Sequence, residues 1–394
     1  MKKNIKILWV NPGFLDYRIP LYDQINQLTD KNLTVIYSKN RILIRVHNKI
    51  KNCLGTNAID LLNEKYFHIG KDRKGFANEY LKIPFQPGLL KSIFKTNCDI
   101  IIAEGFFQWT PATLIKKIIQ KKPLIIAYER TLHTERNAPK WRTLYRKIIS
   151  KFVDGYIVNG TLSKEYLIKT LKINENKIFL GGMSADNDNL ISKIESFTTK
   201  QKNEFLNLIV NKKEPLIYLY VGQLIERKGI IELIGSWKIF KNENSEGVLI
   251  IVGNGPKRTE IENYIQSKFI DDIIIVGDVD YDQIYKYFAI ANLLIIPTLE
   301  DNWSLVVPEA MSCKLPIACS IYNGCWPELI TQNNGWCFDP LNTDEFVNVL
   351  KKIFLNRNNL KQMGDNSFEI VKNYNPKTVA ENIISACITT IRKK

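Results

Sequence analysis

Two acidic residues eight positions apart, Asp301 and Glu309, stand where an apolar, strand-like run gives way to a helix-like pattern. The helix is predicted over residues 304–313, with Ser304 as its cap and Pro308 in its first turn. Free N–H groups at the start of a helix attract anions, and carboxylates accept hydrogen bonds from hydroxyl groups. The stretch therefore predicts a ligand with both phosphate and hydroxyl groups, such as a nucleotide sugar.

Residues 181–204 are polar, begin with glycines and lack strong periodicity, so they are predicted to be an interdomain hinge. Strand-like and helix-like patterns alternate on both sides of this stretch. This alternation predicts an α/β protein with mostly parallel sheets and with ligands at the carboxyl ends of the strands. The predicted domains are residues 1–185 and 186–375, followed by a helix over 376–394. The first series has strand-like runs at 5–10, 33–37, around 66–70, 99–103, 123–127 and 154–158.

Several of the predicted strands end in glycine, which lets the backbone approach a ligand closely. Gly13 follows the first strand, and Gly222, Gly253-Asn254 and Gly277 follow strands of the second series. Lys228 comes six residues after Gly222, so strand, glycine, cation and helix together predict a phosphate site there.

The acidic pair and the lysine occur in segments that resemble a known family. Residues 301–309, followed by Ala-Met-Ser-Cys-Lys-Leu-Pro-Ile and then Asn323-Gly324, resemble the E-x7-E signature of retaining glycosyltransferases of family 4. These have the GT-B fold and include group 1 enzymes that build bacterial polysaccharides and lipid-linked saccharides. The family usually begins the motif with Glu-Gly-Phe-Gly, whereas this chain has Asp-Asn-Trp-Ser, and the neighbouring Glu300 is an alternative first acid.

Residues 222–229, GQLIERKG, resemble the donor-diphosphate motif G-R-L-x(3)-K-G of the same family. Gln223 replaces the usual arginine and removes a permanent charge and a bidentate donor. Either Arg227 compensates for that loss, or the diphosphate is held less strongly.

The resemblance implies two Rossmann-like domains that face each other across a cleft, with a C-terminal helix that crosses back to the N-terminal domain. The acceptor would bind residues 1–185 and the donor residues 186–375. The family also implies a nucleotide base near Val276 and Gly277, ribose hydroxyls on Glu309, and a donor-sugar contact from His133. The implied catalytic residues are Asp301, Glu309, His133 and Lys228, and the implied donor-binding residues are Gly13, Gly222, Gln223, Arg227, Gly253, Asn254, Val276, Gly277, Asn302, Trp303, Ser304 and Leu305.

The expected function is retaining transfer of a sugar from a nucleotide sugar, with a UDP-sugar as first choice, to a saccharide or lipid-linked acceptor. Neither a metal nor a further cofactor is expected to be required. Two alternatives remain open at this stage. A nucleotide-sugar epimerase of the GT-B fold would use the same donor cleft without an acceptor, and a sugar- or polyanion-binding module would bind without catalysis.

The net charge of +15 is confined to one half of the chain. Residues 1–190 hold 32 Lys and Arg against 16 Asp and Glu, while residues 191–394 hold 23 against 24. A basic half suits an anionic partner such as a membrane surface, and no nucleic-acid motif accompanies the charge. Residues 140–152 form a basic amphipathic helix that suits either a membrane interface or packing against a sheet.

No apolar run approaches the ~18–20 residues that a membrane span needs, so the expected location is cytoplasmic, with peripheral attachment to the inner face of the cell membrane left open. The seven cysteines are scattered, odd in number and without a C-x-x-C pair. This pattern favours reduced thiols over disulfides or a zinc site.

Overall fold

The computed structural model describes residues 4–69, 81–210, 212, 214–243 and 246–393. The chain divides into two compact units. The first comprises Met1–Ala185 together with Tyr374–Lys394, and the second comprises Asp186–Asn373.

The first unit is built on a parallel sheet whose strands, within the described residues, run in the order β3-β2-β1-β6-β7-β8-β9. These strands are apolar on both faces because both faces are covered by helices, as parallel sheets require. The predicted strand near 66–70 is observed as β4, which pairs antiparallel with β5, and residue 70 lies outside the described residues. The strands are β1 Ile7–Val10, β2 Leu33–Ser38, β3 Ala58–Leu61, β4 Lys65–Ile69, β5 Leu81–Phe85, β6 Ile100–Glu104, β7 Leu124–Tyr128, β8 Gly155–Val158 and β9 Ile178–Leu180.

Two apolar cores fill the two faces of this sheet. Alternate residues of β1 show the division, because Ile7 and Trp9 belong to one core while Leu8 and Val10 belong to the other. The helices that follow its strands are α1 Arg18–Leu28, α2 Ile44–Leu54, α3 Leu89–Lys95, α4 Thr110–Gln120, α5 Lys140–Ser150 and α6 Thr161–Lys169.

The second unit repeats this plan with a parallel sheet in the order β12-β11-β10-β13-β14-β15. Parallel pairing brings the carboxyl ends of β10 to β13 to one edge, where ligands bind in such sheets. Its strands are β10 Ile217–Val221, β11 Val248–Val252, β12 Ile273–Gly277, β13 Leu293–Ile296, β14 Ile317–Ser320 and β15 Gly335–Phe338. Its helices are α7 Asn187–Ser196, α8 Thr199–Ile209, α9 Ile230–Glu243, α10 Arg258–Ser267, α11 Tyr285–Ile290, α12 Val306–Ser312, α13 Trp326–Leu329, α14 Thr343–Leu355 and α15 Leu360–Val371.

The last helix, α16 Pro376–Arg392, returns to the first unit. Asn375 caps it by accepting a hydrogen bond from the backbone N–H of Thr378 at 2.9 Å. Its apolar face joins the core that also contains α1, and Ile383 and Cys387 are fully buried there. The predicted α/β class and the predicted return of the C-terminal helix are therefore confirmed.

The first unit gives way to the second at Ala185 and Asp186, within the segment 181–204 where the hinge was predicted, but most of that segment is helical, because α7 and the first half of α8 occupy it. The reason is partly local, since Thr198 and Gln201 form a reciprocal capping box that starts α8 despite its polar sequence. Helix α7 is held by packing, with Asn187 and Leu190 buried.

Candidate active site

Lys228 and Asp301, 73 residues apart in sequence, form an ion pair at the carboxyl edge of the second sheet. Lys228 ends a short 3-10 turn, Glu226–Lys228, that follows β10, and Asp301 lies in the loop after β13. The Lys228 side chain is 19% exposed and the Asp301 side chain 12% exposed. The pair is thus largely shielded but still reachable from solvent, as a ligand site requires.

Backbone contacts hold the two loops together. The carbonyl oxygen of Arg227 accepts hydrogen bonds from the N–H of Leu299 at 2.8 Å and from the Thr298 hydroxyl at 2.9 Å. Gly229 has φ +66°, and a Cβ there would lie 1.9 Å from the carbonyl oxygen of Pro297. Only glycine fits at this point, which fixes Lys228 beside the loop that carries Asp301.

Asp301 is held in its ionised form. Burial alone would raise the pKa of Asp301, but Lys228, the Ser304 hydroxyl and Arg227 outweigh it and keep the pKa below its usual value. Ser304 Oγ donates to Asp301 Oδ2 at 2.7 Å, and the N–H of Trp303 donates to Asp301 Oδ1 at 3.2 Å. Asp301 therefore orients both the cation and the loop that leads into α12.

The predicted role of Ser304 as a helix cap is wrong. Helix α12 begins at Val306, and its N-cap Leu305 makes no side-chain cap bond. The Ser304 hydroxyl is used instead by Asp301, and its N–H donates to Asn323 Oδ1 at 3.3 Å. The predicted anion site at this helix end is correspondingly smaller, because the N–H groups of Trp303 and Ser304 already donate to side chains.

Glu309 occupies the first turn of α12 and has the opposite character to Asp301. It is 8% exposed, and the Tyr281 hydroxyl donates to its Oε1 at 3.2 Å. Burial raises the pKa of Glu309 to about 8. The hydrogen bond from Tyr281 lowers this pKa, and the charge of Asp186 raises it. At neutral pH the two acids of the motif thus differ, since Asp301 is ionised and Glu309 mainly protonated.

The glycine-ended strands line the same edge. Gly253 has φ +136°, and a Cβ there would lie 2.0 Å from the carbonyl oxygen of Gly222. The next residue, Asn254, donates from Nδ2 to Asp278 Oδ2 at 3.0 Å. Gly277 ends β12 with φ +90° and accepts from the N–H of Gly253 at 2.8 Å. The backbones at the ends of β10, β11 and β12 therefore lie close together, and the glycines there have no side chains to cover them.

The other residues predicted to bind the donor have the following contacts and exposure. Gln223 is exposed, and its carbonyl accepts from the Tyr220 hydroxyl at 3.0 Å. Arg227 donates from Nη1 to the carbonyl of Glu300 at 3.1 Å. Val276 is half-buried within β12. The carbonyl of Asn302 lies against Gly324, where a Cβ would approach it to 1.8 Å.

Gly13 and His133 belong to the first unit, whereas the other predicted site residues belong to the second. Gly13 lines a cavity of about 730 Å³ at the carboxyl ends of β1, β6 and β7. His133 lies in the turn between β7 and α5, and its carbonyl accepts from Arg136 Nη1 at 2.6 Å. Among the described residues, the lining of that cavity does not include His133.

The charged residues that line this cavity were assigned no site role in the sequence analysis. Glu104 ends β6 directly after an apolar run, which is a place where ligands bind in parallel sheets. Arg18 begins α1 and Arg41 ends a short turn after β2, so neither directly follows an apolar run. The charged lining residues are Arg18, Arg41, Glu104, Glu129, Arg130, Arg142 and Arg146.

Among the described residues, no group of three or more His, Cys, Asp and Glu side chains is placed to hold a metal ion. All seven cysteines are free thiols.

Comparison with known proteins relates the second unit to glycosyltransferases. Residues 201–370, within the second unit, match the family model described as "Glycosyl transferases group 1". The capsular polysaccharide biosynthesis glycosyltransferase CapM of Staphylococcus aureus is 22% identical over 321 residues, 77% of this chain and 83% of CapM. An uncharacterised glycosyltransferase of Methanocaldococcus jannaschii is 21% identical over 224 residues, 56% of this chain, and the match spans only 62% of that relative's length.

A solved structure extends the similarity to both units. The crystal structure of Anabaena Alr3699/HepE in complex with UDP superposes with a TM-score of 0.72 and 15% identity, covering 97% of this chain and 99% of HepE. The GT-B fold and the resemblance to group 1 glycosyltransferases are therefore confirmed.

Proposed function

We propose that this chain transfers a sugar, with retention of anomeric configuration, from a UDP-sugar to a saccharide or lipid-linked saccharide in the assembly of a surface polysaccharide. The observation that carries the proposal is the Lys228–Asp301 ion pair, followed in the first turn of α12 by the buried and mainly protonated Glu309, all within the segment that matches the family. The UDP bound by HepE and the role stated in the name of CapM support the choice of donor and of pathway class.

In the proposed site the donor diphosphate lies at the glycine-ended strands of the second unit. Lys228 stabilises the negative charge that grows on the diphosphate as the bond between the sugar carbon and the phosphate oxygen breaks. Asp301 keeps Lys228 in position, and Arg227 is the second cation within the same turn. No metal is needed for this charge stabilisation, because a lysine and backbone N–H groups supply it.

Glu309 is assigned to the ribose hydroxyls. A carboxyl group that is largely protonated at neutral pH can both donate to and accept from a diol, and Tyr281 holds it in one orientation. Neither acid is assigned as a nucleophile. The acceptor hydroxyl attacks from the face that the diphosphate leaves, and its proton passes to a phosphate oxygen of the departing UDP, so a new glycosidic bond replaces the sugar–phosphate bond.

The acceptor is assigned to the cavity of the first unit, with peripheral attachment of that unit to an anionic membrane. Helix α5 supports this attachment because its apolar residues face outward: Trp141 is 47%, Leu144 60% and Ile148 49% exposed. Its arginines, Arg142 and Arg146, are buried instead. Among the described residues, no helix is long and apolar enough to cross a membrane.

Turnover tests the reaction. Wild type, Lys228→Met and Glu309→Ala are incubated with each of several UDP-sugars and a polyprenyl-diphosphate saccharide, and UDP release and product anomer are measured. The proposal predicts acceptor-dependent release of UDP, an unchanged anomeric configuration and a loss of orders of magnitude in both variants. Conversion of the donor without an acceptor would indicate an epimerase, and binding without turnover would indicate a non-catalytic module.

Vesicle sedimentation tests the attachment. Leu144→Ser and Ile148→Ser should each weaken binding to vesicles that contain anionic phospholipid, because each removes apolar area from the face that inserts. Leu208→Ser is the matched control, since Leu208 is 78% exposed in the second unit. Equal sedimentation of all four proteins, or none with any vesicle, would refute attachment through α5.

A further inference from the structure

The cavity of the first unit holds a carboxyl group at the end of its sheet. Glu104 ends β6 and lines the cavity, with its side chain 23% exposed. Strands β1 and β6 pair in parallel with Val10 opposite Ala103, so Asn11 and Glu104 come next at the same level of the sheet. The carboxyl group therefore lies at the edge where parallel sheets bind ligands.

The hydrogen bonds that Glu104 accepts all end on one of its two oxygen atoms. Oε1 accepts from Trp9 Nε1 at 3.0 Å, from Asn11 Nδ2 at 3.2 Å and from Arg18 Nη2 at 3.5 Å. Among the described residues, no side chain and no backbone N–H donates to Oε2. Because polar atoms at shielded sites are normally paired, Oε2 is left for a donor that enters the cavity.

The three donors are fixed in place by contacts of their own. All of them are buried. Asn11 Nδ2 also donates to the Tyr22 hydroxyl at 2.8 Å, and Arg18 Nη1 donates to the carbonyl oxygen of Gly182 at 3.2 Å. The Trp9 ring packs edge-on against Tyr22, with 5.3 Å between the ring centroids. The carboxyl group is thus held in one orientation before any ligand binds, which lowers the entropic cost of binding.

The free oxygen of Glu104 requires a ligand with a hydrogen-bond donor, because an ionised carboxylate accepts hydrogen bonds and donates none. Burial raises the pKa of Glu104, Arg18 lowers it, Glu129 raises it and the hydrogen bond from Trp9 lowers it, with a net rise. A carboxylate that is partly shielded from water forms stronger hydrogen bonds than an exposed one. A neutral hydroxyl group is a donor that can use this oxygen.

The rest of the cavity supplies apolar contact area. Its lining includes the rings of Phe14, Phe106 and Phe107, and Phe107 is stacked on Tyr145 with ring centroids 4.7 Å apart. Apolar and aromatic walls with a few placed polar groups are typical of small-molecule sites. A saccharide presents hydroxyl groups and apolar C–H faces together, so it matches both parts of this lining.

We propose that Glu104 is an acceptor-binding residue whose Oε2 accepts a hydrogen bond from one hydroxyl group of the acceptor saccharide. This inference rests on the proposed function and adds the atom of the protein that orients the acceptor. Trp9, Asn11 and Arg18 are positioning residues, because they act through Oε1.

Glu104→Gln tests this contact because it changes the hydrogen-bonding character of one atom. The amide oxygen can take the place of Oε1 and accept from the same three donors, which puts the amide nitrogen in the place of Oε2. That nitrogen donates and cannot accept, so the contact with the ligand is lost while the contacts with the protein remain. Glu175→Gln removes an exposed carboxylate from the same unit and is the matched control.

The probes are methyl α-glucoside, methyl α-galactoside and methyl N-acetyl-α-glucosaminide, each with its monodeoxy derivatives, titrated at pH 8 with saturating UDP present. Ligand-observed NMR measures the affinities, and melting temperatures monitor the fold. Wild type should bind at least one glycoside, and Glu104→Gln should bind it about 10-fold or more weakly, because one charge-assisted hydrogen bond is lost. Glu175→Gln should bind like wild type.

One hydroxyl group of the bound glycoside should account for the loss. Its removal should weaken binding to wild type by a similar factor and have little further effect in Glu104→Gln, as expected for the two partners of one contact. Three results would each overturn the proposal: equal binding of all deoxy derivatives by wild type, equal affinity of wild type and Glu104→Gln, or no glycoside binding by wild type.

The deoxy series in wild type needs no variant, so it decides the question even if Glu104→Gln misfolds. Failure of UDP itself to bind would instead count against the proposed function, so the two failures are distinct.

Discussion

Glu309 offers a test in which the structure predicts both sign and size. Its pKa is raised by burial from 4.5 to about 8, so between these values the folded protein holds a proton that the unfolded chain releases. The free energy of unfolding must therefore fall as pH rises from about 4.5 to 8. Glu309→Gln, which is neutral at every pH and similar in shape, removes this dependence.

The magnitude follows from the same pKa. Each pH unit between the two pKa values corresponds to about 1.4 kcal/mol, so wild type should lose about 2 to 3 kcal/mol relative to Glu309→Gln between pH 5 and pH 7. For a domain of 150–250 residues, 1 kcal/mol shifts the melting temperature by about 2–4 °C. The variant should therefore match wild type at pH 5 and melt roughly 5–10 °C higher at pH 7.

Scanning calorimetry of the second unit's transition in the whole chain, at pH 5, 6, 7 and 8, measures this difference. Glu204→Gln, an exposed acid on α8, is the control for the general effect of removing a carboxylate. A melting-temperature difference between wild type and Glu309→Gln that stays constant from pH 5 to pH 8 would refute the assignment of a protonated Glu309.

Three further substitutions test two ion pairs and one glycine of the structure. Lys228→Met should raise the pKa of Asp301, because it removes the main positive charge that opposes the effect of burial on this pKa. NMR-monitored titration of Asp301 measures the change, and an equal pKa in wild type and variant would mean that the ion pair is absent in solution. Gly229→Ala should destabilise the second unit by about 1 kcal/mol or more, because its Cβ would meet the carbonyl of Pro297, and an unchanged melting temperature would contradict that geometry. Arg146→Ala should destabilise the first unit by about 3–5 kcal/mol in urea unfolding, because the buried carboxylate of Glu135 loses its bidentate partner. A loss under about 1 kcal/mol would argue against the buried pair.

The regular parts of the fold were predictable because parallel strands buried on both faces are continuous apolar runs. The run at 99–103 appears as β6 Ile100–Glu104, and the run at 123–127 appears as β7 Leu124–Tyr128. Helices α7 and α8 were not predictable from periodicity, because tertiary packing and a capping box stabilise a polar sequence there. Helix α5 was ambiguous, since its periodicity fixes an amphipathic helix without telling which face is buried.

The candidate site was likewise predictable from the sequence only in part. Sequence spacing brought Asp301, Glu309 and Lys228 to attention, but the pairing of Lys228 with Asp301 depends on two loops that meet only in the folded sheet. Spacing also carries no information on charge state, which burial sets at Glu309 and a neighbouring cation sets at Asp301. Ser304 was misassigned because its hydroxyl donates to Asp301 and does not accept from an N–H group of the helix, and spacing alone does not reveal that contact.

The most direct test of the central claim is calorimetric titration of wild type and Glu309→Ala with UDP-, GDP-, ADP- and CMP-sugars, with Glu309→Gln as a folded control. We predict that wild type binds UDP-sugars alone and that Glu309→Ala binds them at least 10-fold more weakly while remaining folded. Binding of no nucleotide sugar by wild type, or equal binding by wild type and Glu309→Ala, would contradict a donor site built on the carboxyl edge of the second sheet.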